Sequence, residues 1–518
     1  MVGYSGHVTT IYPYGYRSNI AILLRWLATL TLLVLSGCAT SQGAQHHSGA
    51  TGAGPYERTD EYLRDRMSAL RIPGAAYAIL DRDGVRHSGA FGTDGNGRAV
   101  TTTTPFLWGS VAKPLTATLI MRMAAAGEVR LDAPVITYLP SFRTRDEQRS
   151  ARITVRQLVN QTSGLPTTTR HTDRTDEERR PADVLPELAE TSLAGEPGVV
   201  HRYSSTNYLI LAAVVEAVTG RPFTEVLHQR VLDPLGMRTA ITSADQARAA
   251  RPRGHRYVFG RTVAFDAPFD PAGVGYGYLG GTVTDLAAFA RAGLGGAPEV
   301  LDNAQRDTMF QGDVETSSGK RYGLGWRRWT LPGSDVPMIW HGGANAGYWA
   351  QVILLPDRAV VLMVNAYGTF QEPQLLDIGF GLGALTLGRD APASEADRTY
   401  PMILTLLGAL AVLLIGLVIR SIWLLTRPRP DVSRPWRLAA QLAVWLLPSA
   451  LLLYVFGVAL PPQTGRRNLP VDAVDTGYRR SGLRHPGDGR RLAGAARHYR
   501  HQTVRAVPPH ILTRDYAA

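Results

Sequence analysis

Lysine is almost absent from this chain: there are two, Lys113 and Lys320, against 53 arginines. Arginine cannot give up its proton inside a protein whereas a desolvated lysine can, so a lysine in such company is suited to be a base. Cysteine is scarcer still. Cys38 is the only one, which excludes a disulfide framework and leaves folding to the hydrophobic core. The main body of the chain also lacks an excess of charge. The formal +12 comes from the ends, and residues 39–419 hold 37 basic and 38 acidic side chains, so nucleic-acid binding has no electrostatic support there. Missing too are a His-Glu-x-x-His, a phosphate-cradling glycine loop, a Gly-x-Ser-x-Gly elbow and any repeat of fixed period. No metal and no organic cofactor is expected.

What is present begins at Leu107–Thr116, where Ser110 and Lys113 stand three residues apart at the head of an apolar segment. Val111–Ala126 is a good helix former, and Pro114 is tolerated only in a first turn. Ser110 is thereby expected at a helix N-terminus, where unpaired N–H groups favour a developing anion, with Lys113 one turn on and facing the same side. That pattern suits a nucleophile with its base. It equally suits a serine cap followed by a solvated lysine, and Ser317–Lys320 matches the same spacing within a Gly/Ser/Thr-rich turn.

Around this core the chain divides by composition. Residues 1–38 have the form of an export signal: Arg17 and Arg25 precede the apolar run Trp26–Leu35, and Leu35-Ser36-Gly37-Cys38 resembles the bacterial lipobox, with Cys38 as the lipidated residue. Residues 39–55 are small and polar, a tether. A globular domain is expected over 56–390, with strands near both ends and helices between. This implies an α+β fold whose sheet is assembled from distant parts of the chain around an inserted helical lobe. Residues 402–425 and 438–460 are apolar enough to be read as transmembrane helices, and the arginine-rich loop between them is placed in the cytoplasm. The domain would then face outward from a bacterial cell membrane, with membrane lipid as a partner. The tail, 461–518, is basic and without periodicity.

Further motifs follow in order: Ile72-Pro73-Gly74, Leu131–Val135, Gln161-Thr162-Ser163-Gly164-Leu165-Pro166, Tyr203–Tyr208, Gly280–Asp285, Tyr322–Trp326 and His341-Gly342-Gly343. Together with Ser110–Lys113, this set resembles the serine beta-lactamase and penicillin-binding family, in its class C and D-alanyl-D-alanine carboxypeptidase branch. The resemblance implies a beta-lactamase/transpeptidase-like fold, an antiparallel sheet flanked by terminal helices. It also implies a reaction through a serine acyl-enzyme, with a small-molecule or cell-wall peptide as substrate.

By the same resemblance, Tyr203 stands for the tyrosine of the family's Tyr-x-Asn motif, relaying protons with Lys113. Ser205 replaces its asparagine, and Asn207, two residues late, does not inherit the role. His341, Gly343 and Ala344 correspond to the third motif, with the N–H groups of Ser110 and Ala344 as the oxyanion hole. The loss of the asparagine leaves a second reading open, a module that binds penicillin-like ligands but acylates slowly or not at all.

Overall fold

Three stretches buried along their whole length, Gly74–Leu80, Tyr348–Leu354 and Ala359–Val364, form the middle of an eight-stranded antiparallel sheet. In the computed structural model the residues described are 56–167, 171–176, 178–317, 319–392, 399–426 and 436. The strands are β1 (Gly74–Leu80), β2 (Val85–Gly92), β3 (Val314–Ser317), β4 (Lys320–Tyr322), β5 (Arg327–Thr330), β6 (Pro337–Asn345), β7 (Tyr348–Leu354) and β8 (Ala359–Val364). Their spatial order is β2-β1-β8-β7-β6-β5-β4-β3. Ala75 lies opposite Val364 and Leu80 opposite Ala359, so the first strands of the domain are sealed against the last.

Alternation of side chains along these strands builds two cores. One face carries Ala76, Ala78, Val352, Val361 and Met363 towards helices α2 (Ala112–Ala125) and α4 (Val283–Gly293) and the inserted lobe. The lobe's central helix, α3 (Ser205–Thr219), is buried from Ser205 to Val215. The opposite face carries Tyr77, Ile79, Ile353, Val360 and Leu362. These pack on Leu63 and Met67 of α1 (Glu57–Leu70) and on Leu375 and Ile378 of α5 (Glu372–Thr386). Each fully buried aliphatic side chain contributes about 1.5–3 kcal/mol, which explains why the strands buried on both faces hold the centre.

The expected sheet of distant segments around a helical lobe is therefore found. Two local features add to it. Strand β5 starts only at Arg327, because Gly325 (φ +84°) turns the chain and Gly323 N–H closes on Trp326 O at 2.8 Å. The lobe, expected to be helices and loops, also contains a hairpin, Gly254–Val258 with Arg261–Phe265.

The chain divides into two compact units, Met1–Ile415 and Gly416–Ala518. Helix α6 (Thr399–Thr426) covers the first span expected to cross a membrane, with Met402, Leu406, Val412 and Ile415 exposed. Among the described residues no helix is long and apolar enough to cross a membrane, and the spanning helix expected over 402–425 is not supported. The expected signal with Cys38, the tether, the second span at 438–460 and the tail lie outside the described residues.

Candidate active site

Strand β6 runs directly against a single 3-10 turn, Gly109–Val111, which leads into α2. The approach is closer than side chains allow. A Cβ on Gly343 would stand 1.9 Å from Trp108 O and 2.7 Å from Ser110 N, and one on Gly109 (φ +54°) would stand 2.5 Å from Ala344 N. These two glycines bring the backbone N–H groups of Ser110 and Ala344 to the same place. Ser110 thus sits in the 3-10 turn that leads straight into the α-helix, with Lys113 in the helix's first turn.

Lys113 lies one turn on and is fully buried. Its ammonium donates to Ser110 Oγ at 3.0 Å, to Ser205 Oγ at 3.2 Å and to the carbonyl of Tyr276 at 2.8 Å, one acceptor for each N–H. The rings of Tyr203, Tyr208 and Tyr276 surround Nζ, with centroids 4.9, 5.7 and 5.8 Å away. A lysine so enclosed can exchange a proton with the serine beside it while bulk water is kept out. Tyr203, half-buried at the entry to α3, also stands 6.3 Å from the ring of His341.

The Tyr276 carbonyl belongs to a π-helical turn, Val274–Tyr278, in which three successive carbonyls each accept a side-chain bond. Thr116 Oγ1 donates to Gly275 O at 2.8 Å, Lys113 to Tyr276 O, and Asn345 Nδ2 to Gly277 O at 2.7 Å. The turn is braced from behind. Tyr276 OH donates to the buried Asp270 carboxylate at 2.5 Å and accepts from Asp173 N–H at 2.6 Å. Desolvation pushes the Asp270 pKa up and the Tyr276 phenol well above its ordinary value. Single-turn π distortions of this kind are frequent at functional sites.

His341 is buried in β6. Its Nδ1 donates to Gly342 O at 2.8 Å, which leaves Nε2 to accept from Tyr322 OH at 3.3 Å. Burial, reinforced by the positive charges of Arg327 and Lys113, holds its pKa well below the usual histidine range. The imidazole is neutral and presents no positive charge to a substrate. Asn207 is turned away from the site: its amide donates to Gln161 Oε1 at 2.5 Å and accepts from Ser163 Oγ at 2.6 Å.

The structure therefore brings Ser110, Lys113, Tyr203, Ser205, His341, Gly343 and Ala344 together. It adds two groups that sequence reading missed, the Tyr276 carbonyl and Arg327. A backbone carbonyl carries no sequence signature. Arg327 could have been noticed only by its position just after Tyr322–Trp326. Its guanidinium lies 5.5 Å from the ring of Tyr203, 5.7 Å from Tyr322 and 5.4 Å from Trp340.

Comparison with known proteins bears on the family and the fold. Residues 59–378 match the model of the family described as Beta-lactamase. The chain is 34% identical over 331 residues to penicillin-binding protein 4 of Amycolatopsis lactamdurans, a match covering 59% of this chain and 85% of that protein. Among solved structures, the octameric penicillin-binding protein homologue of Pyrococcus abyssi aligns with TM-score 0.57 and 21% identity, covering 65% of this chain and 78% of that one. The D-alanine carboxypeptidase AmpC of Burkholderia cenocepacia aligns with TM-score 0.54 and 19% identity, covering 64% and 98%. At these identities the two structures speak for the fold alone.

Proposed function

Because this chain belongs to the beta-lactamase family, that of the serine beta-lactamases and transpeptidases, we propose that it is a hydrolase working through an acyl-enzyme on Ser110, with an ester, a D-amino peptide or a beta-lactam as substrate. The observation that carries this reading is the buried Lys113 Nζ, 3.0 Å from Ser110 Oγ. Ser110 Oγ attacks the substrate carbonyl while its proton passes to Lys113, acting as the neutral amine, and on through the Tyr203 hydroxyl to the leaving group. The oxyanion lies between the N–H groups of Ser110 and Ala344, a device whose single donors are worth about 3–4 kcal/mol. The leaving group departs with the proton. Water then attacks the ester carbonyl, and free Ser110 and a carboxylic acid result.

The test is covalent. Treating the protein with a fluorescent penicillin or a fluorophosphonate is expected to label Ser110, as located by peptide mass spectrometry. A label elsewhere, or one that survives Ser110→Ala, would refute the proposal.

The reading includes a location, the outer face of a bacterial cell membrane. Its support is the signal-like 1–38 with Cys38, the charge-free 438–460, and the apolar residues exposed along α6. Protease added to intact cells should remove the domain, and a protected domain would reverse the orientation.

A further inference from the structure

Most arginines of the domain that reach a partner are neutralised at close range: Arg156 by Asp132 at 2.6 Å, Arg149 by Asp146 at 2.6 Å, Arg230 by Glu128 at 2.7 Å. The β4–β5 ribbon departs from this. Among the described residues, no carboxylate lies within ion-pair distance of Lys320, Arg321, Arg327 or Arg328. Even Glu315, opposite Arg321 in the β3–β4 register, forms no ion pair with it. Arg321 and Arg328 do donate to backbone carbonyls of the 311–313 turn. Lys320 and Arg327 rest on aromatic faces instead.

Those faces form a line that leads out of the catalytic site. The Tyr203 ring lies 4.9 Å from Lys113 Nζ and 5.5 Å from the Arg327 guanidinium. The Trp329 ring lies 5.9 Å from Arg327 and 4.2 Å from Lys320 Nζ. Cation and ring thus alternate from the nucleophile's base to the surface, where Trp329 borders an open cleft of about 500 Å³ that it shares with Arg321, Arg328 and Asp313, and that neither Arg327 nor Lys320 lines. Ring faces hold cations in place but do not cancel their charge. With His341 neutral, Arg327 is a positive group that lies beside Tyr203, 5.5 Å from its ring, and it is partly exposed.

We propose that this row is a subsite for acidic peptide substrates, one that seats a carboxylate on Arg327 beside the reacting bond and a second on Lys320, with Trp329 under the chain between them. The proposal rests on the hydrolase reading and deepens it by naming the substrate class. An arginine fork matches a carboxylate in two parallel hydrogen bonds, while an exposed lysine acts as a point charge, so Arg327 should dominate.

Acetyl-D-alanyl thioesters of three thiols test it in the full chain: mercaptoacetamide (uncharged), mercaptoacetate (one carboxylate) and mercaptosuccinyl-glycine (two). In each, the bond from Ser110 Oγ to the acyl carbon forms, the C–S bond breaks, and the thiolate leaves. The expected result is a kcat/KM that rises with each carboxylate. Arg327→Gln should lower the charged-to-uncharged ratio by about 10- to 100-fold, the worth of a hydrogen bond to a charged group. Lys320→Gln should lower only the two-to-one ratio, by about 2- to 5-fold, as for an exposed ion pair. A general loss of activity cancels in these ratios. Ratios near one in the parent protein, or unchanged in both variants, would overturn the subsite. Calorimetric binding of mercaptosuccinyl-glycine to the Ser110→Ala protein separates the two readings. Binding that weakens in Arg327→Gln, without turnover of any thioester in the parent, would refute the hydrolase and keep the subsite; turnover without charge preference would do the reverse.

Discussion

The chain spells Ser-x-x-Lys twice, at Ser110–Lys113 and at Ser317–Lys320, and the two copies have nothing in common but the spacing. In the first, a 3-10 turn running into α2 places both side chains on one side, and the lysine is buried among three tyrosine rings with three acceptors. In the second, Ser317 and Lys320 face each other across a hairpin turn through Gly319 (φ +71°), both exposed. Burial disfavours the charged form of a lysine, which makes the fully buried Lys113 the candidate base. Removing each copy should therefore have opposite outcomes. Lys113→Ala is expected to slow labelling of Ser110 by about 10²–10⁴-fold, the range of a lost general base, and Ser110→Ala to abolish it. Ser317→Ala should label at the parent rate in the same time course. Equal losses at both copies would erase the distinction.

The glycines sharpen the same contrast. A methyl on Gly343 meets Trp108 O at 1.9 Å and Ser110 N at 2.7 Å, so β6 must withdraw from the 3-10 turn and take Ala344 N–H with it. Gly343→Ala is expected to cut the acylation rate by about 10²–10³-fold, the cost of one oxyanion donor. Gly319 has the same positive φ as many turn glycines, yet a methyl there meets nothing within 4 Å. Gly319→Ala should show instead as about 1–2 kcal/mol of lost stability, the strain of a left-handed alanine. Rate measurements beside urea melts of both variants would expose a failure of either half.

Sequence made the first copy legible only in part. Spacing, the apolar segment behind it and the rarity of lysine pointed at Ser110 and Lys113 because these are local properties. The sheet was legible for a similar reason: β1, β7 and β8 are short apolar runs bounded by turn residues, and burial on both faces demands such runs. What completes the site was not local. The carbonyl of Tyr276 becomes an acceptor for Lys113 because a π turn, braced by Asp270 and Asp173, points it inward. Arg327 reaches Tyr203 because β5 begins where the Gly325 turn ends. Both depend on how distant segments pack, which no residue pattern announces.

Ser205 tests whether the first copy needs its full set of acceptors. Its hydroxyl takes one of the three Lys113 bonds, in the place where the family's motif carries an amide. Ser205→Ala should slow acylation about 10-fold, since a hydrogen bond to a charged donor is lost while Ser110 and Tyr276 still hold Nζ. Ser205→Asn restores an acceptor and should recover part of the rate. An unchanged rate in the alanine variant would mean that the Ser205 hydroxyl is not needed to hold Nζ.

The smallest effect separates a buried site from an exposed one by pH. Burial holds the pKa of His341 well below the histidine value of 6.5 and lowers His201 to about 4. Depressed histidines bind fewer protons in the folded chain than in the unfolded one, so stability is full above about 6.5 and declines as pH falls below it. For His341, whose folded pKa lies well below the unfolded value, the decline continues as pH falls from about 6.5 towards 5. Thermal melts from pH 7.5 to 5 should follow that decline, and His341→Gln should flatten it although its own melting temperature at pH 7.5 is lower, because it gives up the bond to Tyr322. Parallel pH curves for the parent and the variant would mean that His341 takes up its proton in the fold. It would then offer Ser110 a charged neighbour after all, and the burial that distinguishes the two copies would not extend across the site to β6.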